Sequence, residues 1–176
     1  MQKYLPAFLL ILLGITSRLL PHPANFTPIA AIALFSGLYL PKKFAVIIPL
    51  LALIASDFIL GSYMWQVMIA VYSSFMVTAF IGLTIKHNKK LSTVVGGTLF
   101  SSILFFITTN WAVWAFGTMY AHTTNGLIQS YLMALPFFKN SLLGDLFYTG
   151  ILVGAMELIQ YSILNKNKQS ASEVIA

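Results

Sequence analysis

Four polar side chains lie at similar predicted depth, near one end of otherwise apolar stretches, and they are the residues of this sequence best suited to binding chemistry. They are Arg18, Asp57, Asn110 and Asp145. Inside a membrane, a charged side chain costs about 2.5–3.5 kcal/mol on insertion scales, so it normally faces other helices and pairs there. These residues could hold the polar groups of a ligand. Alternatively, Arg18 could form a structural ion pair with Asp57 or Asp145 that closes a helix bundle.

Further polar and aromatic residues are predicted to gather at the same end of the molecule. They are His22, Asn25, Tyr63, Trp114, Tyr120, His122, Phe137 and Asn140. A pocket lined by aromatic side chains with a few convergent polar groups is typical of a small-molecule site. The tryptophans have an alternative explanation, because they are enriched at membrane surfaces. Each histidine could equally be held in a loop without contacting a ligand.

The sequence lacks the motifs of the familiar catalytic and metal sites. It has no cysteine, no HExxH, GxSxG or DxxD motif, no histidines four residues apart, and no phosphate-binding loop for ATP. We therefore expect no catalytic residue, resident metal or cofactor, and binding or transport is favoured over an enzymatic reaction. The alternative of a lipid-acting enzyme requires Asp57 and Asp145 to approach closely enough to share a Mg²⁺ ion.

The composition predicts an integral membrane protein. Hydrophobic residues make up 59% of the 176 residues and charged residues 8%, whereas about 25% of a soluble protein is charged. The apolar residues also form long runs, as expected in lipid. A net charge of +6 could indicate nucleic-acid binding in a soluble protein, but here the basic residues flank apolar runs. The predicted partners are membrane lipid and a small-molecule substrate, with no nucleic acid.

The apolar runs predict an all-α membrane protein, a bundle of six transmembrane helices. The predicted spans are Tyr4–Leu20, Thr27–Leu40, Phe44–Leu60, Trp65–Ile85, Ser92–Phe116 and Ser141–Leu164. They form one domain over residues 1–164, followed by a polar cytoplasmic tail over residues 165–176. Leu127–Leu135 is apolar but too short to span, so we expect it to be a lid or an interfacial helix in a long loop.

The cationic residues lie unevenly between the gaps, which predicts an orientation. Eight of the ten lie at the N-terminus, in the second and fourth gaps and in the tail: Lys3, Lys42, Lys43, Lys86, Lys89, Lys90, Lys166 and Lys168. Because cationic loops stay cytoplasmic, both termini are predicted to be cytoplasmic and the number of crossings even. The candidate site then lies at the outer mouth of a multi-pass membrane protein.

A second candidate surface lies on one face of the sixth predicted helix. Gly150, Gly154 and Glu157 follow each other there at helical spacing. Paired glycines four residues apart let another backbone approach closely. They could pack within the bundle, or they could dock a second protein, since Glu157 has no evident partner. An accessory or assembly subunit of a larger membrane complex is therefore an alternative function.

Several strings resemble a widespread family of small uncharacterised bacterial membrane proteins. They are the run from Arg18 to Gly37, Ser56-Asp57 with Gly61, Thr109-Asn110-Trp111 with Trp114, Tyr120-Ala121-His122-Thr123 with Gly126-Leu127, and the run from Pro136 to Asp145. That family is similar to the substrate-binding S components of energy-coupling-factor vitamin transporters, in particular to the solitary cobalamin-transporter branch.

The resemblance implies a six-helix bundle that binds a vitamin-like molecule beneath its outer loops and carries it inward. It also implies energy-coupling transmembrane and ATPase subunits as partners, and a corrinoid as one candidate ligand. The small-residue docking motif usual in the first helix is reduced here to Ala7 and Gly14. The cobalt-ligating cysteine of the cobalamin branch has no counterpart, and His22 or His122 could ligate cobalt instead.

Overall fold

The described part of the chain is built from helices. The computed structural model describes the backbone of residues 5–175 and the side chains of residues 9–165. In chain order the helices are Leu5–Leu19 (α1), Ile29–Tyr39 (α2), Lys42–Leu60 (α3), Trp65–Ile85 (α4), Leu91–Phe116 (α5) and Thr124–Ile175 (α6). The prediction of an all-helical chain with six helices is confirmed over these residues.

Four of the helices have the length and composition of membrane spans. The candidate spans lie in α3, α4, α5 and α6, whereas α1 and α2 are shorter apolar helices. The outward faces are apolar as well: Phe58 is 90% exposed and Leu91 81% exposed. Exposed apolar surface on this scale is a liability in water, but it is the ordinary outer surface of a bundle in lipid. The chain therefore has the helices and the surface of a membrane protein.

The centre of the bundle is α2, the shortest helix. Nine of its 11 residues are buried, and it packs against α3, α4 and α6 with further contacts to α1 and α5. Eleven residues rise only about 16 Å, roughly half of a hydrocarbon core. The other five helices contact α2 from all along the described chain, so this short helix is enclosed by the bundle.

The packing of α2 against α4 depends on two glycines. A Cβ atom added at Gly37 would lie 2.3 Å from the carbonyl oxygen of Ala79, and one added at Gly82 would lie 2.4 Å from that of Leu34. The two backbones are therefore in direct contact, which a side chain at either position would prevent. The small residues of α2 serve helix packing here.

The prediction that Leu127–Leu135 is a lid or an interfacial helix within a long loop is right in the helical alternative but wrong in the loop around it. These residues belong to α6, which continues from Thr124 to Ile175 with Pro136 inside it. The reason lies in α5, whose 26 residues rise about 39 Å and give the first part of α6 a surface on which to pack. The predicted start of the sixth helix at Ser141 is therefore too late, and Phe137 and Asn140 lie in a helix and not in a loop.

Aromatic contacts hold this first part of α6 against α5. The Tyr131 hydroxyl donates a hydrogen bond to the carbonyl of Ile107 (3.0 Å). The Phe138 ring lies 4.6 Å from that of Phe106, which also contacts Tyr131. The two helices therefore run side by side in opposite directions.

Two cationic residues of the fourth predicted gap contact the end of α2 at the cationic end of the bundle. The Lys86 ammonium donates to the carbonyl of Leu40, the residue that follows α2 (2.9 Å), where a cation also complements the helix dipole. Lys89 lies 3.5 Å from the Glu157 carboxylate and 4.3 Å from the centre of the Tyr39 ring, and the Tyr39 hydroxyl donates to Glu157 (2.5 Å). The side chains of Lys3, Lys166 and Lys168 lie outside the described residues.

Candidate functional site

A cavity of about 310 Å³ lies at the opposite end of the bundle, where α1 and α3 end and α2 and α4 begin. Its wall includes residues from all six helices. The polar lining residues are Arg18, His22, Asn25, Thr27, Tyr63, Ser141 and Asp145. The structure thus brings together five residues that the sequence singled out from four separate regions of the chain.

Arg18 forms an ion pair with Asp57 and not with Asp145. The guanidinium Nη1 lies 2.7 Å from Oδ1 of Asp57 and donates to the hydroxyl of Ser56 (2.5 Å). The other carboxylate oxygen accepts a hydrogen bond from the Tyr72 hydroxyl (2.7 Å). Asp57 is 5% exposed, and charge-assisted hydrogen bonds of this kind are the strong ones. The pair joins α1, α3 and α4 at the cavity.

Asp145 is buried in a different way. It is 6% exposed, and its Oδ2 accepts a hydrogen bond from the Ser102 hydroxyl of α5 (2.7 Å). Within residues 9–165 no lysine, arginine or histidine lies within ion-pair distance of it, since the ion pairs there are Arg18–Asp57 and Lys89–Glu157. A buried carboxylate without a cation is energetically costly, so Asp145 is a candidate ligand-binding residue of the cavity wall.

The two loops over the cavity supply a histidine, an asparagine and a phenol. Nδ1 of His22 lies 2.6 Å from the carbonyl oxygen of Leu20, which positions the ring. Asn25 has a φ of 64°, a left-handed conformation that asparagine tolerates better than most residues. Burial, together with the Asp57 carboxylate, raises the pKa of the Tyr63 phenol to about 12. Tyr63 is therefore a neutral hydrogen-bond donor at physiological pH.

A second cavity of about 270 Å³ adjoins the first. The two share Asn25, Phe105 and Ser141 in their walls, and the second is also lined by Asn110 and Phe137. The Asn110 amide donates to a carbonyl one turn earlier in its own helix (2.7 Å). The bond to its own helix therefore holds this amide in place.

Asn140 fixes the first loop to α6. Its amide donates a hydrogen bond to the carbonyl of Ala24 (3.1 Å). One turn further along α6, a Cβ atom added at Gly144 would lie 3.2 Å from Cα of Phe26. The loop that carries His22 and Asn25 is therefore packed closely on α6.

Trp114, Tyr120 and His122 lie apart from the cavity. The Trp114 indole donates to the carbonyl of Ala121 (3.0 Å), and the His122 ring lies 3.1 Å from the carbonyl oxygen of Gly117. The two rings meet edge to face at 6.1 Å. They form a local cluster between the end of α5, which carries Trp114, and the connection to α6, which carries Tyr120 and His122. None of the three is among the lining residues of either cavity.

The structure also assigns roles to residues that the sequence did not single out. Tyr72 and Ser102 hold the two buried carboxylates, and Ser141 lines both cavities. Hydroxyl residues inside apolar helices usually bond to the carbonyl one turn earlier, as Ser101 does. The sequence contains no signal that distinguishes Ser102 from Ser101.

Gly150 and Gly154 do not pack within the bundle. A Cβ atom at either position would meet nothing within 4 Å, because both lie along an open groove of about 260 Å³ between α5 and α6. The explanation by internal packing is therefore wrong. Glu157 does have partners, Tyr39 and Lys89, so it is not an unexplained acid. Docking of a second protein in this groove stays a prediction.

The arrangement of the acids disfavours the metal-dependent alternative. Both carboxylate oxygens of Asp57 are engaged, by Arg18 and by Tyr72. Among the residues whose side chains are described, no group of three or more histidines and acids is placed to hold a metal ion. Asp57 is therefore poorly placed to share a cation with Asp145.

Comparison with known proteins identifies the family of this chain. No curated protein and no solved structure matches this chain, so the resemblance to vitamin-transporter S components stays a prediction. The model of one family, a family of unknown function called DUF6580, matches residues 1–169. Since the match covers nearly the whole sequence, the chain belongs to the DUF6580 family.

Proposed function

We propose that this protein binds a small molecule in the cavity between its six helices and carries it across the membrane. The observation that supports this most is the cavity itself, which contains a buried carboxylate and adjoins a buried ion pair. Charged groups at membrane depth are costly and typically mark substrate pathways. A wall that draws on all six helices also allows helix movement to open or close the site.

The volume of the cavity limits the size of the ligand that it can bind. Small-molecule sites measure about 300–1,000 Å³, and this cavity, at about 310 Å³, lies at the lower end. A compact, vitamin-like molecule with one or two rings fits that volume better than a corrinoid macrocycle does. The rings of Phe75 and Phe105 line the cavity with their centres 5.2 Å apart, and they would cover the apolar part of such a molecule.

The proposed orientation places both termini in the cytoplasm and the cavity at the outer face of a bacterial inner membrane. The cluster of Lys86, Lys89 and Glu157 at the other end supports this, because cationic loops stay cytoplasmic. In this orientation the protein takes its ligand from outside. Energy-coupling transmembrane and ATPase subunits are the proposed source of the driving force.

Single cysteines test the orientation without background, because the natural chain has none. Ser62 lies in the connection at the cavity end and Asn88 in the connection at the cationic end, and both are exposed. In intact spheroplasts, a membrane-impermeant maleimide is expected to label Ser62→Cys and to spare Asn88→Cys. Permeabilisation is expected to expose the second cysteine. Labelling of Asn88→Cys alone would reverse the proposed orientation.

Filling the cavity tests the binding function. Ala30 lines the cavity from α2, and Ala30→Phe places an aromatic ring in the space proposed for the ligand. The amount of co-purifying compound per protein, measured by mass spectrometry, is expected to fall at least about tenfold, which corresponds to about 1.4 kcal/mol of binding free energy.

A matched substitution separates this effect from general damage. Ala155 is exposed on α6 and lines neither cavity, so Ala155→Phe is expected to retain the ligand. Size-exclusion chromatography checks that both variants fold, and Val71→Phe, also in the cavity wall, replaces Ala30→Phe if that variant is unfolded. Retention of ligand at the natural level in a folded cavity-filled variant would contradict the proposal.

A further inference from the structure

We infer that the ligand of this cavity is a small organic cation, such as a protonated amine or a cationic nitrogen heterocycle, whose charge is bound by Asp145. The inference rests on the proposed function, since it concerns the ligand of the same site. Its basis is the balance of charges and hydrogen bonds around the cavity wall.

The positive charge in the wall is already neutralised. Arg18 lines the cavity, but its Nη1 is 2.7 Å from the Asp57 carboxylate and bonded to Ser56 as well. An anionic ligand would have to displace a buried carboxylate from this arginine. Breaking a buried ion pair is strongly unfavourable, so the cavity is a poor site for an anion.

The acid in the cavity wall, in contrast, has no ion-pair partner among residues 9–165. Asp145 is 6% exposed and lines the cavity, and in the described part of the chain its hydrogen-bond partner is the neutral hydroxyl of Ser102. A cationic ligand would supply the missing partner, and the cost of burying the carboxylate favours its binding.

The remaining lining residues favour an organic cation over a bare metal ion. Phe75 and Phe105 present aromatic rings to the same cavity, and aromatic faces attract organic cations. Ca²⁺ and Mg²⁺ instead require about six or more oxygen ligands, including carboxylates. Asp145 is the lining acid here, accompanied by neutral groups such as Asn25 and Ser141.

Three probes of similar shape and different charge test the inference. Phenethylamine is cationic, phenethyl alcohol neutral and phenylacetate anionic at pH 7. Their binding to the purified full-length protein in detergent is measured by competition against the co-purifying compound and by ligand-observed NMR. The amine is expected to bind at least about tenfold more tightly than the other two, as a hydrogen bond to a charged group contributes about 1.5–3 kcal/mol.

Two acid-to-amide substitutions assign the preference to one residue. Asp145→Asn is expected to reduce the preference for the amine to less than about threefold, because the amide keeps an acceptor for Ser102 but has no charge. Glu157→Gln removes an acid at the far end of the bundle and is expected to leave the preference unchanged. An undiminished preference in folded Asp145→Asn overturns the assignment.

The outcomes also separate this inference from the proposed function. If the alcohol or phenylacetate binds most tightly, and Ala30→Phe blocks that binding, the inference is wrong and the binding function stands. If no probe and no co-purifying compound binds in the cavity, the proposed function fails and the inference with it. Should Asp145→Asn not fold, the charge of the compound that co-purifies with the natural protein decides, and a neutral or anionic compound contradicts the inference.

Discussion

Asp57→Asn is expected to lower the free energy of unfolding by about 3–5 kcal/mol, the range found when one partner of a buried ion pair is removed. The substitution leaves Arg18 beside a neutral amide where a carboxylate lies at 2.7 Å, in a site that is 5% exposed at Asp57. It also weakens the hydrogen bond from Tyr72. Unfolding in mixed detergent micelles, followed by circular dichroism, measures the effect.

Two further variants show whether the loss comes from the unpaired charge. Glu157→Gln breaks a more exposed ion pair, with Lys89 at 3.5 Å, and is expected to cost less than about 1 kcal/mol. In Arg18→Met combined with Asp57→Leu both charges are gone, so most of the lost stability is expected to return. A change of less than about 1 kcal/mol in Asp57→Asn would show that the pair does not bear on stability.

Gly37→Ala is expected to lower the free energy of unfolding by about 3 kcal/mol, the upper part of the range for overpacking. The added Cβ would lie 2.3 Å from the carbonyl oxygen of Ala79 and 2.7 Å from Cα of Gly82. Both are backbone atoms, so relief requires α2 and α4 to separate. Gly82→Ala is expected to have a similar effect, because its Cβ would meet the carbonyl oxygen of Leu34. The same unfolding measurement applies.

The matched control for this prediction is another helical glycine. Gly96 lies in α5 with nothing within 4 Å of an added Cβ. Gly96→Ala is expected to be neutral or to stabilise by up to about 1 kcal/mol, the difference in helix propensity. Equal effects of Gly37→Ala and Gly96→Ala would show that backbone contact does not hold α2 against α4.

The sequence predicted the limits of α3, α4 and α5 well, because each is a long apolar run between short polar gaps. For α4 the predicted and observed limits coincide at Trp65 and Ile85, and for α3 and α5 they differ by one or two residues at the start. Long apolar runs between short polar gaps are a strong local signal. The prediction failed at α6, because Pro136 and the polar residues after it are typical of a loop. Residues 124–140 form a helix because they pack on α5, and the local sequence gives no sign of that tertiary contact.

The sequence predicted at which end of the bundle the site residues lie, but not which side chains pair with each other. Counting residues from the helix ends indicated that Arg18, Asp57 and Asp145 lie at one end of the bundle, and Arg18 and Asp145 line the same cavity. Which acid pairs with Arg18 depends on how each helix is rotated about its axis. That rotation is set by contacts such as Ser56 and Ser102, which resemble any other serine in an apolar run. The same limit explains why Trp114 and His122 were expected at the cavity.

The length of α6 gives the molecule one continuous helix from the cavity wall to the far end of the bundle. From Asp145, in the cavity wall, to Ile175 the helix contains no proline, and these residues rise about 45 Å. That distance matches a whole bilayer with its headgroups, about 40–45 Å thick. A displacement of α6 at Asp145 can therefore be transmitted along one continuous helix to its far end at Ile175. One helix thus connects the cavity wall to the opposite end of the bundle.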